Sequence, residues 1–279
     1  WRASLSLTAN NFFMKPIVKF LSVLSVSLLA ATGAYGADLY AHYDASDSAT
    51  VTLANTNEVT DLTDLSTNGF DAGADAGTVL YPDLNPSSRN LDLLDMGAAR
   101  NTLSTLTEVQ QEDLLNFDGA AAGNDGFAFF VVTRVDALLA GITRDVILAN
   151  RGDIGGGLVL RLQGASPELY VGGVKAEDTS AVPVAGETLV IAANYNKVTG
   201  DLEFWNSKAN ASVTVTVPAG NFSQPNPIFL GGSTNSGQFL DGAIGEVKFY
   251  QGKLTTVEFA AEQALLVDKW LGVGPFISS

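Results

Sequence analysis

The sequence predicts an all-β sandwich or barrel with a helix at its C-terminal end. Three features of the 279 residues point that way. Short runs of β-branched and aromatic residues recur at roughly even spacing, with Gly and Asn turns between them. Some alternate strictly, as where Val213, Val215 and Val217 sit against Thr214 and Thr216. One segment, residues 255–271, breaks to helical spacing. Residues 37–279 contain no repeat, linker or low-complexity block, and their length suits a single β-sandwich.

Taken in order, residues 114–117 read as a strand, and a short helix is also predicted within 105–115. Residues 127–135 are the strongest strand, an aromatic and β-branched run bounded by Gly126 and Asp136. Strands at 146–149, 158–162 and 168–171 follow, separated by Gly-rich turns. The series continues at 189–195, 202–205 and 213–217, and closes at 228–230 and 244–250. In the helix, Thr255 and Glu258 have capping-box spacing, so each side chain can satisfy the other's free amide. Leu254 and Phe259 suit a hydrophobic staple. Ala260, Ala264, Val267 and Leu271 form an apolar stripe; Phe259, Leu266 and Trp270 run beside it, interrupted by Gln263. Lys269 complements the helix dipole and Gly272 can terminate the helix. Trp270 is thereby placed as a core plug.

Composition narrows the function. There are 30 acidic residues against 15 Lys plus Arg, a formal charge of −15, with one His and no Cys. Clustered bases for nucleic-acid phosphates are lacking. The absence of Cys excludes disulfides, thiol catalysis and cysteine-ligated zinc. Residues 14–36 have the layout of a secretory signal peptide: Lys15 and Lys19, an apolar run at 20–31, and Ala34-Tyr35-Gly36 before a cleavage point at Ala37. Residues 1–13 precede the start methionine and are read as an upstream artefact or fragment, leaving 37–279 as the folded domain. The expected product is exported from a bacterial cell, secreted or periplasmic, with no stable membrane anchor after cleavage. Residues 37–88 hold nine acids and no Lys or Arg. That stretch is either a solvated face or a region attractive to hard cations such as Ca²⁺.

The order of several short motifs resembles a known family. Ala41-His42-Tyr43-Asp44-Ala45-Ser46 precedes Asp64-Leu65-Ser66-Thr67-Asn68-Gly69, then Asn116-Phe117-Asp118-Gly119 and the 127–135 strand. Tyr195-Asn196, Asp201-Leu202-Glu203-Phe204-Trp205 and Phe229-Leu230-Gly231-Gly232 follow. Asp241-Gly242-Ala243-Ile244-Gly245-Glu246-Val247-Lys248-Phe249-Tyr250 and the closing helix end the series. This order resembles the laminin-G-like members of the concanavalin A-like lectin/glucanase superfamily over nearly all of 37–272. The resemblance implies a two-sheet antiparallel jelly-roll sandwich with a short C-terminal helix and a curved, partly concave face. It also implies a protein that binds glycans or proteins, often with Ca²⁺, or one that cleaves polysaccharides.

The residues favour binding over catalysis. The acid pattern Glu-x-Asp-x-x-Glu of the laminarinase-like hydrolases is absent, and His42 lacks the flanking Gln-x-His of the lyases. A sugar site needs an aromatic face beside amides and carboxylates, because a sugar has an apolar face and a polar rim. If Leu202 and Phe204 point inward, Glu203 and Trp205 share the other face, with Asn206 adjacent and Tyr195 on the preceding strand. These four are the candidate carbohydrate-binding residues; the competing reading is that the second face is itself covered. Asp118, Asn124 and Asp125, around Gly119 and Gly123, with Asp44 from the first strand region, are candidate Ca²⁺ ligands. Ordinary turn chemistry would explain the same residues. The expectation is a secreted, non-catalytic carbohydrate-binding or adhesive module for an extracellular glycan or cell-surface component. The alternatives are a self-associating matrix or envelope subunit, and a divergent polysaccharide hydrolase or lyase.

Overall fold

In the computed structural model, the described residues are 37–84, 91–97, 99–118, 125–137, 145–151, 155–164, 166–180, 182–235 and 237–272. The chain divides into units Trp1–Tyr35 and Gly36–Ser279, and every described residue belongs to the second. The leader expected at 14–36 lies outside them.

Among the described residues, seventeen strands and two α-helices follow in sequence. The N-terminal part holds β1 (Asp38–Asp44), β2 (Val51–Leu53), β3 (Val59–Leu62), β4 (Ala72–Ala76), β5 (Leu80–Leu84), β6 (Asp92–Gly97), β7 (Thr102–Thr105) and α1 (Glu108–Leu115). The middle holds β8 (Gly126–Val135), β9 (Asp145–Ala149), β10 (Leu158–Gln163), β11 (Ser166–Val171) and β12 (Val174–Glu177). Then come β13 (Glu187–Asn196), β14 (Asp201–Asn206), β15 (Ala211–Thr216), β16 (Ile228–Leu230), β17 (Gly242–Gln251) and α2 (Thr256–Leu271). One antiparallel sheet runs β15-β14-β13-β8-β17-β6-β5, with β1 also paired to β17; the other runs β12-β11-β10-β9-β16-β7-β4-β3-β2. The fold class is thus the all-β, two-sheet sandwich with a C-terminal helix that the sequence predicts.

The free edge of β17 is divided between two partners. β6 pairs with residues 242–244 and β1 with 246–251, and the register of β17 against β8 slips between Ile244 and Glu246. The slip leaves Gly245 as a bulge that bends the strand and shifts which residues face outward. Trp270 of α2 fills the space: a Cβ at position 245 would lie 2.6 Å from its ring, so only glycine fits.

Two apolar layers result. Between the sheets, Phe117, Phe127, Phe129, Tyr195, Phe204 and Phe249 pack with aliphatic side chains from both inner faces. On the outer face of the first sheet, Ala128, Phe130, Val132, Val190, Ala192, Trp205 and Tyr250 form a second apolar surface, which Phe259, Leu266 and Trp270 of α2 cover. The helix begins as its sequence predicts. Thr255 N donates to Glu258 Oε2 at 2.8 Å, Glu258 N to Thr255 Oγ1 at 3.3 Å, and Gly272 takes a left-handed C-cap with φ +65°.

Two sequence expectations are corrected here. Residues 114–117 are not a strand: Leu114 and Leu115 end α1, whose first turn is held by Thr107 N donating to Gln110 Oε1 at 2.7 Å. The good helix formers Glu, Gln and Leu outweigh a four-residue apolar pattern. Strands β2 to β7 went unread, since short segments such as Ala72–Ala76 (AGADA) and Leu80–Leu84, with its Pro82, have weak β propensity. Pro82 is tolerated because β5 is a sheet edge.

Candidate functional site

The sequence places Glu203 and Trp205 on one face of β14, and the structure agrees: Leu202 and Phe204 enter the inter-sheet core while Trp205 joins the outer layer. That outer face is covered. Trp205 is only 5% exposed, packed among residues that α2 seals, so no open indole face is presented for stacking on a sugar. Two other members of the predicted set turn inward. Tyr195 pairs directly opposite Leu202, and cross-strand partners share a side of the sheet. It lies in the core with Phe117 and Phe127 at ring distances of 5.2 and 5.5 Å, and its hydroxyl donates to the Val217 carbonyl. Asn206 is fully buried: its Nδ2 donates to Asp178 Oδ2 at 2.7 Å, and its Oδ1 accepts from the Lys208 and Ala209 amides, fixing the β14–β15 turn. Neither can reach a ligand.

The surface left at this edge consists of two clefts on either side of the line from Glu203 to Trp205. One, about 460 Å³, is lined by Asn194, Asn196, Asp201, Glu203 and Thr214 with Lys253 to Thr256 at the start of α2. Asn194 ties that end of the helix down, its amide exchanging two hydrogen bonds with Leu254 backbone at 2.9 and 3.0 Å. Glu203 accepts from Ser212 Oγ at 2.6 Å. The other, about 550 Å³, is lined by Trp205, Ser207 and Asn210 from the strand side and Ala260, Gln263, Ala264 and Val267 from α2. Here the buried Nε2 of Gln263 has no hydrogen-bond partner. Two further clefts flank the 65–71 loop, one of about 570 Å³ beside Asp61, Phe70 and Asp71, one of about 480 Å³ beside Tyr40 and Asn68.

A polar cluster the sequence did not disclose lies under the C-terminal half of α2. Glu246, 3% exposed, accepts from His42 Nε2 at 2.8 Å, Lys269 Nζ at 2.6 Å and Trp270 Nε1 at 2.7 Å, and Lys248 lies 3.3 Å away. Lys269 also donates to Asp44 Oδ2 at 2.6 Å, and Lys248 is paired with Glu262. Burial opposes ionisation of Glu246, but the hydrogen bond from His42 and the charges of Lys248 and Lys269 outweigh it and hold its carboxyl well below the usual range. Burial likewise opposes the charge on Lys248, and Glu262 and Glu246 reverse that and raise it. Nothing local in the sequence pairs His42 with Glu246; the contact follows from β1 lying along β17.

His42, Asp44 and Glu246 present ligand atoms within 4.8 Å of one another. The residues do not suit Ca²⁺, which prefers oxygen ligands, and the Lys269 ammonium already bridges both carboxylates. Of the predicted Ca²⁺ ligands, Asp118 is exposed, and Asp125 accepts from the Lys253 amide at 3.1 Å. Asn124 lies outside the described residues. Asp44 pairs with Glu246, five residues along β17 from Gln251 beside Asp125, about 16 Å at ~3.3 Å per residue. One ion cannot be shared by Asp44 and Asp125.

No family model matches the sequence, and no curated protein matches it. Among solved structures, domain 4 of AbnA, a GH43 extracellular arabinanase from Geobacillus stearothermophilus in complex with arabinotriose, superposes with a TM-score of 0.51 at 15% identity. The match covers 81% of this chain and 98% of that domain. The shared fold is the two-sheet β-sandwich. The receptor-binding domain of botulinum neurotoxin type G gives 0.53 at 8% identity, over 82% of this chain and 51% of that one. A Trypanosoma rangeli sialidase in complex with a difluoro-nononic acid gives 0.50 at 12%, over 82% and 32%. This chain thus spans about half of the toxin domain and a third of the sialidase. Among the described residues no helix is long and apolar enough to cross a membrane.

Proposed function

We propose that this chain is a secreted, non-catalytic carbohydrate-binding or adhesive module of the laminin-G-like kind. The observation that carries the reading is the 550 Å³ cleft between α2 and β14–β15, where the Asn210 amide and the Ser207 hydroxyl meet an apolar helix wall of Ala260, Ala264 and Val267. That mixture suits a sugar, which offers hydroxyls on its rim and C–H groups on its face. The fold shared with the AbnA domain, whose structure holds arabinotriose, supports the reading at the level of architecture. The test is a glycan array probed with the folded protein, with and without Ca²⁺. Hits weakened by Asn210→Ala support the cleft; an array blank under both conditions removes the function. A calcium contribution belongs with Asp118 and Asp125, which flank 119–124, and a calorimetric titration without heat or a melting shift disposes of it.

Two other readings have an observation each. The convergence of His42, Asp44 and Glu246 favours a divergent hydrolase or lyase, although three donors already engage Glu246. Reducing ends or unsaturated sugars released by the native chain but not by His42→Ala would establish it. A self-associating subunit is favoured by β15, an uncharged Ala-Ser-Val-Thr-Val-Thr edge strand of the kind natural sheets usually blunt with charge or proline. Concentration-dependent assembly in sedimentation, without any glycan hit, would establish that instead.

A further inference from the structure

We infer that the chain has a second glycan site, on the outer face of the sheet that runs from β12 to β2, where the cleft between the 64–71 loop and Pro225 and Pro227 takes an uncharged sugar. The inference goes beyond the reading above, which seats a sugar against α2 on the other side of the sandwich.

The floor of this cleft, which holds about 570 Å³, is a row of cross-strand partners: Asp61 of β3, Gly73 of β4 and Ser104 of β7. Their neighbours Leu62, Ala72 and Leu103 enter the inter-sheet core, so the row faces outward. Gly73 is paired on both sides, and a glycine inside a strand weakens it. The fold does not require one here. Its φ lies outside the left-handed region. A Cβ at position 73 would have the Asp61 carboxylate as its nearest described contact, at an ordinary 3.6 Å, whereas at Gly245 the same atom would lie 2.6 Å from the Trp270 ring. A side chain would therefore fit at 73, and it would stand in the cleft. Glycine leaves the floor open to a close approach from outside.

The walls supply what a sugar needs. Phe70 from one loop and Pro225 and Pro227 from another give apolar surface for sugar C–H groups, and Asp61, Ser104 and Thr107 offer a carboxylate and hydroxyls to its polar rim. All six are exposed or partly exposed. The loop that carries Phe70 is already fixed. Buried Asp64 accepts from the amides of His42, Ser66 and Phe70, each at 2.8 Å, and Asn68 Nδ2 donates to the Tyr40 carbonyl at 2.9 Å. The Tyr40 ring packs 5.2 Å from that of Phe70. A ligand would thus have little loop ordering to drive. Charge sets the class. Asp61, Asp71 and Glu108 line the cleft, and among its described lining residues there is no Lys, Arg or His. A uronate or sialate would meet like charge there, inside a chain of formal charge −15.

The experiment is a calorimetric titration of the full chain with neutral arabino-, xylo-, cello- and laminari-oligosaccharides, with acidic oligogalacturonides and sialyllactose, and with amine-bearing glucosamine oligomers. It is repeated on Gly73→Thr, which fills the floor, on Asp61→Ala, and on Asn210→Ala as the control for the α2 cleft. The expected result is binding to at least one neutral series that Gly73→Thr removes, Asp61→Ala weakens about tenfold through loss of one charged acceptor, and Asn210→Ala leaves in place. The ligand-free Gly73→Thr protein should melt no lower than the native chain, since threonine suits a strand better than glycine; a clearly lower melting point means that the fold needs this glycine, and overturns the role given to it. Neutral binding that persists in Gly73→Thr overturns the inference, and its loss in Asn210→Ala would then leave the reading above intact. Preference for the acidic or the amine-bearing probes overturns the ligand class. No binding to any probe overturns the inference and that reading together.

Discussion

The first sheet has two buried faces, and they are held by different physics. Its inner face meets the other sheet through aromatic and aliphatic side chains, with Tyr195, Phe117, Phe127 and Phe222 in mutual ring contact. Its outer face meets α2 through a smaller apolar layer with Glu246, His42, Lys248, Lys269 and Glu262 joined beside it. An apolar seam has no directional demand and tolerates sliding, whereas an ionic cluster is satisfied in one arrangement only. The comparison teaches that the sandwich needs only pattern and volume, while the helix needs a docking register, supplied by Glu246 receiving Lys269 and Trp270 from adjacent positions of α2.

The largest effect should come from the inner seam. Phe204→Ala removes a fully buried ring and should destabilise the protein by about 4 kcal/mol in urea unfolding. Next, Glu246→Ala takes one of two carboxylate partners from Lys248 and from Lys269 and leaves the buried Trp270 indole N–H without its acceptor, and should cost about 3 kcal/mol. Acid sharpens this contrast. The Glu246 carboxyl is held below its ordinary 4.5, so its stabilisation is complete above about pH 4.5 and fades as pH falls below it. Melting curves between pH 6 and pH 3 should show a steeper loss in the native chain than in Glu246→Ala; parallel loss would mean that Glu246 is not the responsible group. Gly245→Ala drives a methyl against the Trp270 ring and should cost about 2 kcal/mol, with a shift in tryptophan fluorescence as the helix end lifts. The smallest is Thr255→Ala, which removes the helix cap and should cost about 1 kcal/mol, read as a modest drop in melting temperature.

Legibility followed the range of the interactions. The 202–205 alternation was readable because period two is a property of the strand itself, and the cap of α2 because Thr255 and Glu258 are three residues apart. Tyr195 was misjudged although the signal was present: once Leu202 faces inward, its cross-strand partner must do so too, given the register of the hairpin. Gln263 was visible as a polar break in an apolar stripe, but its lack of a partner required coordinates. Strands β2 to β7 were hidden because they are short, and segments such as the Ala-, Gly- and Asp-rich β4 become strands only beside their neighbours.

By itself the sequence determined the sandwich, its strongest strands, the capped helix at its end and a net acidic charge. All of these follow from local periodicity, capping and summed charge. Only the tertiary structure decided that α2 lies over Trp205, that His42 meets Glu246 across 204 residues, and that the Gln263 amide nitrogen is buried without a partner. Those outcomes depend on which strand pairs with which, and no local pattern encodes a pairing between the two ends of a chain.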